Sequence, residues 1–258
     1  MGEGIMVLDL FKLDGRKAII TGGSRGLGRA YGQALHEAGA EIVLIDILDK
    51  VRETVAEIGS GCGAAVHYVI SDLLDRDSLD KGFRESLELL GGHLDILVNN
   101  AGINARGETI GYKMENWDRI IGLNLTTQFM MCVRAAEVMV KQGKGKIINV
   151  SSAVGVTGGV QSAAYSASKG GITTMTKTMS NEWAPMGINV NAIAPGYIST
   201  DLNSSASEER RKYITARIPK GYWGEPSLLK GTIVYLCSDA ADYVTGVILP
   251  VDGGFLSR

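Results

Sequence analysis

Short runs of β-branched and apolar residues alternate along the chain with longer stretches whose apolar positions recur every three or four residues. The short runs are KAIIT (17–21), EIVLID (41–46), AVHYVI (65–70), LDILVNN (94–100), GKIINVSS (145–152), INVNAIAP (188–195) and GVILPVD (246–252). Helical periodicity falls between them at 26–38, 49–58, 75–90, 117–142, 164–184 and 226–239. Strand and helix alternating in this way predict an α/β fold, a parallel sheet with helices on both faces. Runs such as AIIT and ILVNN are apolar on both faces, as a strand covered from two sides must be. Right-handed crossovers then limit the topology to a doubly wound, Rossmann-like sheet of about seven strands.

No Pro/Ser-rich linker and no charge block divides the 258 residues, and only five are proline. The expectation is one domain over residues 1–258. Its least regular part is 196–225, polar and loop-like with room for one short helix; an insertion of this length after a strand is usually a lid or binding loop. A formal net charge of −2 argues against a nucleic-acid surface. The hydrophobic fraction is 45%, yet no apolar run approaches membrane-spanning length, so no membrane partner is expected. The N-terminus carries Glu3 and Asp9 and does not read as a signal peptide, and Met6 stands where a myristoylation motif needs Ser or Thr. Cys62, Cys132 and Cys237 are scattered, with no CxxC, which fits neither a disulfide framework nor a metal site. A cytoplasmic location is the expectation.

The first strand runs into Thr21-Gly22-Gly23-Ser24-Arg25-Gly26-Leu27-Gly28 and then a helix. Glycines are required where backbone turns sharply and approaches a pyrophosphate at a helix N-terminus. The spacing is GxxxGxG, not the usual GxGxxG, and a glycine turn alone would also serve as a plain tight turn. Asp46 ends the second strand eighteen residues after Gly28. An acid there accepts ribose hydroxyls and repels a 2′-phosphate, which favours NAD over NADP. Arg25 pulls the other way, since a guanidinium can pair with that phosphate. The same segment reads Gly22-x-Ser24-x-Gly26, a hydrolase elbow. Its base would have to come later in the chain, and all three histidines (His36, His67, His93) are early.

Tyr165 and Lys169 stand four apart in a helical pattern and so share a face. A tyrosine titrates near 10 in water; a nearby ammonium favours the phenolate and brings it toward neutral pH. Ser152, ending the fifth strand, can hydrogen-bond a carbonyl or alkoxide oxygen, and Asn124 sits in RIIGLNLTTQF among apolar neighbours. Individually each has a plainer reading: a surface pair, a turn residue, a satisfied buried amide.

Together the motifs resemble the short-chain dehydrogenase/reductase family from about Leu10 to Arg258: TGGSRGLG at 21–28, Asp72-Leu73, NNAG at 99–102, Asn124, Ser152, YSASK at 165–169, Pro195 to Thr200, and VDGG at 251–254. The resemblance implies a general acid/base at Tyr165, and a Lys169 that binds the nicotinamide ribose and lowers the tyrosine pKa. It implies a substrate-oxygen contact at Ser152 and a proton-relay water at Asn124. Cofactor contacts are implied at Gly22, Ser24, Arg25, Gly26, Leu27, Gly28, Asp46, Asp72, Leu73, Asn99, Ala101, Gly102, Pro195, Gly196, Ile198 and Thr200, besides Tyr165 and Lys169. A homotetramer and a small-molecule substrate are implied, with no metal.

Within the family, residues 181–200 and 238–258 look most like sugar-acid dehydrogenases. Such relatives tend to carry two arginines after NNAG, whereas here INARG leaves only Arg106. Gln161 stands where a relative places another arginine. Asn104, Arg106, Gln161 and Tyr197 are the candidate substrate residues, for a sugar acid or polyol. Tyr222 and Leu228 replace what is often an arginine and an acid, so an apolar contact is expected between them. The rival readings are a bulkier apolar ketone, such as an acyl thioester or steroid, and a non-catalytic dinucleotide-binding protein.

Overall fold

The computed structural model describes residues 6–60, 63–203 and 206–257; Glu3 and Cys62 lie outside them. The strands are β1 (Lys17–Thr21), β2 (Glu41–Asp46), β3 (Val66–Ile70), β4 (Ile96–Asn99), β5 (Gly145–Val150), β6 (Ile188–Pro195) and β7 (Ile248–Val251). They form one seven-stranded sheet in the order β3-β2-β1-β4-β5-β6-β7. Every pairing is parallel.

The helices are α1 (Gly26–Glu37), α2 (Val51–Gly59), α3 (Arg76–Leu89), α4 (Met114–Ile121), α5 (Thr127–Gln142), α6 (Val154–Thr157), α7 (Ala163–Trp183), α8 (Glu208–Thr215) and α9 (Lys230–Cys237). The helix expected at 117–142 starts earlier, at Met114, and a π turn at Gly122–Thr126 joins α4 to α5. In the 196–225 segment a 3-10 turn at Asp201–Asn203 precedes α8. None of the described helices is long and apolar enough to cross a membrane.

Alternation along each strand divides the core. Ala18 and Ile20 of β1, with Ile42 and Leu44 of β2, pack under α1 and α9 through Tyr31, Leu35, Ile233 and Leu236. Ile19, Val43 and Ile45 face the other way, against Leu79 and Phe83 of α3 and Met131 and Ala135 of α5. Burial on both sides is why these strands lack a polar face. A third, smaller cluster joins Ala153, Ile214, Ile218, Trp223 and Phe255, and anchors α8 and the C-terminal segment.

The strand order reverses between β1 and β4. Chains leave the two strands in opposite directions there, opening a crevice at their C-terminal ends, where ligands bind in open α/β sheets.

Candidate active site

Thr21, Asn100 and Asp46 hold the loop after β1 in place. The Thr21 hydroxyl accepts the backbone N–H groups of Asn100 and Ala101, both at 3.0 Å. The Asn100 amide returns two bonds, to the carbonyls of Thr21 (3.0 Å) and Gly22 (3.1 Å). Asp46, 8% exposed, accepts the N–H of Ser24 at 2.9 Å and of Leu48 at 3.0 Å. Gly22 turns at φ +67°, and a Cβ on Gly28 would lie 2.0 Å from the Gly22 carbonyl oxygen. The GxxxGxG spacing thus lets α1 start directly against the turn, with Leu27 packed on the core below.

This loop fits a dinucleotide. The N-terminus of α1 has no side-chain cap, whereas α3 and α8 are capped by Asp75 and Ser207. Its first N–H groups are therefore available to an anion. The Ser24 hydroxyl is buried with no partner, a donor awaiting an acceptor. Across the crevice, the Thr200 methyl would be 3.6 Å from a Cβ on Gly26, and Asp201 pairs with Arg25 at 3.0 Å. The Arg25 guanidinium is thereby directed to the 196–225 segment. Asp72 is exposed, its carboxylate accepting the Leu74 N–H at 2.9 Å, while Leu73 is core, 6% exposed.

Asn99 departs from the expected arrangement. Its amide is fully buried beneath the sheet and donates to Asn149 Oδ1 (3.0 Å) and Cys132 Sγ (3.1 Å). The side chain that reaches the glycine loop from this motif is Asn100, which sequence reasoning passed over; a polar residue following one already buried in a strand end was the available signal.

The reaction centre is built where α7 meets β5. Ser151 donates to the Lys169 carbonyl at 2.9 Å, and Lys169 Nζ to the Val150 carbonyl at 2.6 Å. A Cβ on Gly155 would come within 2.7 Å of the Lys169 carbonyl carbon, so α6 packs hard against α7. Tyr165 and Ser152 line the same pocket. Lys169 Nζ sits 5.7 Å from the Tyr165 ring centroid. Asn124, in the π turn, closes a two-way bond with Ile103: Oδ1 accepts the N–H at 2.9 Å and Nδ2 donates to the carbonyl at 2.9 Å, with Ser168 a third partner at 3.2 Å. Gly102 lies over it: a Cβ there would be 3.2 Å from Asn124 Oδ1 and 3.7 Å from Lys169 Nζ.

The electrostatics differ from the simple picture of an ammonium depressing a phenol. Burial raises the Tyr165 pKa, and the opposing influences are the Ser152 hydroxyl and the Arg106 charge. Lys169 is itself buried, and desolvation pushes its pKa down to about 7. The Arg106 charge favours the phenolate.

Ser152 and Tyr165 open on a pocket lined also by Asn104, Arg106, Ser162 and Tyr197. The Asn104 Oδ1 is buried without a partner, leaving an acceptor for a donor that enters. Tyr197 is wedged between Trp223 and Phe255, each ring centroid 5.3 Å away. Pro195 ends β6, its carbonyl accepting the Ala153 N–H at 2.9 Å. Gly196 lies tight on Asp252, whose Cα would be 2.6 Å from an added Cβ, and Ile198 is core. Gln161 is not on the pocket wall. It adopts φ +57°, its carbonyl takes the Gly107 N–H at 3.1 Å, and its amide donates to Glu108 at 2.6 Å. It fastens the Arg106 loop instead.

Tyr222 and Leu228 do not seal against each other as expected. They stay 50% and 55% exposed on the walls of a cavity of about 370 Å³ that meets the reaction pocket only at Tyr197. On the same wall the Asp252 carboxylate accepts the N–H groups of Gly254 and Leu256, both at 2.8 Å.

Residues 22–256 match the family model described as enoyl-(acyl carrier protein) reductase. The chain is 41% identical to 2-dehydro-3-deoxy-D-gluconate 5-dehydrogenase of Escherichia coli (strain K12), covering 98% of this chain and 100% of that one. It is 37% identical to the 3-oxoacyl-[acyl-carrier-protein] reductase FabG of Aquifex aeolicus (strain VF5), over 94% and 98% of the two chains. The crystal structure of a gluconate 5-dehydrogenase from Burkholderia cenocepacia J2315, in complex with NADP and tartrate, superposes with a TM-score of 0.92 at 36% identity, over 98% of this chain and 100% of that one.

Proposed function

The chain belongs to the short-chain dehydrogenase/reductase family, and from that premise we propose that it interconverts a secondary alcohol and a ketone on a sugar acid, with NAD as its cofactor. The observation that carries this reading is the polar wall around Ser152 and Tyr165, with the Arg106 cation and the unpartnered Asn104 acceptor beside the reacting hydroxyl. A pocket of this kind discriminates against substrates that lack hydroxyls, since its own groups would be left unpaired. The sugar-acid dehydrogenases among its relatives support the same class.

The nicotinamide, when bound, supplies the hydride acceptor or donor. The residues of this chain manage one proton and the alignment. Tyr165 takes the proton from the substrate hydroxyl, or returns it, while Ser152 hydrogen-bonds the same oxygen and Arg106 favours the phenolate. Lys169 stands beside the tyrosine ring, and Asn124, fixed to the Ile103 backbone, bonds Ser168 on the same helix. Asp46 keeps two of its acceptor sites on backbone N–H groups and has the others for ribose hydroxyls, and its charge repels a 2′-phosphate. Arg25, engaged by Asp201, does not offset it. The NADP named with the Burkholderia structure argues for the phosphorylated cofactor, so both are to be measured.

The reading extends to a cytoplasmic homotetramer. Phe129 and Val140, eleven residues apart on one side of α5, are 50% and 44% exposed, an apolar stripe suited to helix–helix assembly.

The deciding experiment measures kcat/KM for gluconate, sorbitol and a hydroxysteroid with NAD and with NADP. Turnover of gluconate with NAD preferred is expected, and Tyr165→Phe should lose about 10²–10⁴-fold in kcat. Turnover of the steroid alone would overturn the substrate class, and a preference for NADP would overturn the role given to Asp46.

A further inference from the structure

α8 lies in the 196–225 segment, and its sequence EERRKYIT is almost wholly polar. One buried side chain, Ile214, ties it to the cluster that contains Ala153, the neighbour of Ser152 on the pocket wall. Arg210 stands four residues before Ile214, and residues four apart share a helix face. Arg210 therefore leaves α8 on the side that packs toward the reaction centre. Its Nε is buried and has no hydrogen-bond partner. The other arginines of this segment are engaged on rings: Arg211 lies 4.1 Å over Trp223, and Arg217 lies 5.0 Å over Phe255.

Arg106 lies on the wall of the reaction pocket. Its one hydrogen bond among the described residues is a long contact of 3.5 Å to Ser162 Oγ. Neither Arg106 nor Arg210 has an ion pair with any described carboxylate. The two are near enough for the Arg210 charge to bear on Arg106, acting in the same direction as burial. Two guanidinium groups brought together without an anion repel each other, and an anion placed between them removes that cost.

We propose that Arg210 and Arg106 form a two-sided clamp for the carboxylate of the substrate, with Arg210 as the specificity-determining residue. This deepens the sugar-acid reading and rests on it for the identity of the substrate. Arg106 comes from the loop after β4 and Arg210 from the insertion after β6, so the clamp forms only where the two segments meet. A neutral polyol reaches the same catalytic groups but gains nothing from the clamp. The second arginine that sugar-acid relatives tend to carry after NNAG is supplied here from a distant part of the chain.

The test compares wild type, Arg210→Ala, Arg210→Lys and Lys212→Ala, the last removing an exposed charge from the same helix. Arg210→Ala should raise KM for gluconate at least about tenfold with kcat changed less than about threefold, while kcat/KM for sorbitol stays within about twofold. Arg210→Lys should recover part of the loss, and Lys212→Ala should match wild type. Calorimetric titration with tartrate gives a readout free of turnover: binding by wild type, weakened in parallel by Arg210→Ala, supports the clamp. Equal losses on gluconate and sorbitol, an unchanged gluconate KM, or an equal effect of Lys212→Ala would overturn it. If wild type oxidises neither compound, the sugar-acid reading fails on its own, and tartrate still decides the clamp: Arg210-dependent binding supports it, and no binding overturns it.

Discussion

Lys169 carries an amine with almost no water around it, 3% exposed, and its Nζ donates to a backbone carbonyl. Its pKa falls from 10.5 to about 7 on folding. The sign of the consequence follows directly. Below pH 7 the group is charged in both states and folding bears the full desolvation cost. Between pH 7 and about 10 the folded protein has released the proton that the unfolded chain still holds, so stability gains about 1.4 kcal/mol per pH unit from this group. Lys169→Met removes that contribution. Urea unfolding of the two proteins from pH 6 to 9.5 should show the variant's advantage greatest at the acid end and shrinking as pH rises above 7. Parallel curves would mean that Lys169 keeps its proton on folding. The spacing that paired Lys169 with Tyr165 was legible in the sequence, because four residues on a helix define one face. That the Arg106 charge also acts on the phenol was not legible, because it depends on a loop 59 positions away folding over the site.

The strands were read within two residues at each end because double-sided burial leaves an apolar run that polar turns bound sharply. The join between α4 and α5 was not read. A π turn adds one residue to a helical turn, and Gly122–Thr126 contains leucines that continue the apolar pattern unbroken. Its cause is tertiary: the turn carries Asn124, which bonds both backbone groups of Ile103. α8 was foreseen only as one short helix within the insertion, since a single buried residue leaves almost no periodicity. The glycine loop was legible as a cofactor loop but not as a packing device. Gly28 shows the difference, because its missing Cβ lets the first turn of α1 rest on the Gly22 carbonyl. Gly28→Ala forces the two apart and so disturbs the loop, although alanine is the better helix former. We expect NAD affinity to fall at least about tenfold, read by nicotinamide fluorescence, with unfolding midpoint also lowered. Unchanged NAD affinity would show that the loop serves the fold alone.

At the scale of the whole molecule, the last residues of the chain reach back to the substrate wall. Phe255, 6% exposed, packs edge-on against Tyr197 at 5.3 Å, and Trp223 flanks the same ring at the same distance. Tyr197 lines the reaction pocket, while Ile214 and Ile218 of the insertion share the cluster that Phe255 completes. The C-terminal segment, the insertion after β6 and the substrate wall therefore form one packed unit, which meets the glycine loop only at its edge, through Thr200 and the Asp201–Arg25 pair. Phe255→Ala empties the centre of this unit and should cost about 3 kcal/mol in unfolding free energy. Its effect on function should be lopsided. KM for the substrate should rise, since Tyr197 loses its support and α8 its anchor, whereas NAD affinity should stay within about twofold. Limited proteolysis should cut the variant first between residues 196 and 225. Phe255→Leu, which refills most of the volume, should restore both KM and protection. A variant that lost NAD and substrate affinity equally would show that the two sides of the crevice do not separate in this way.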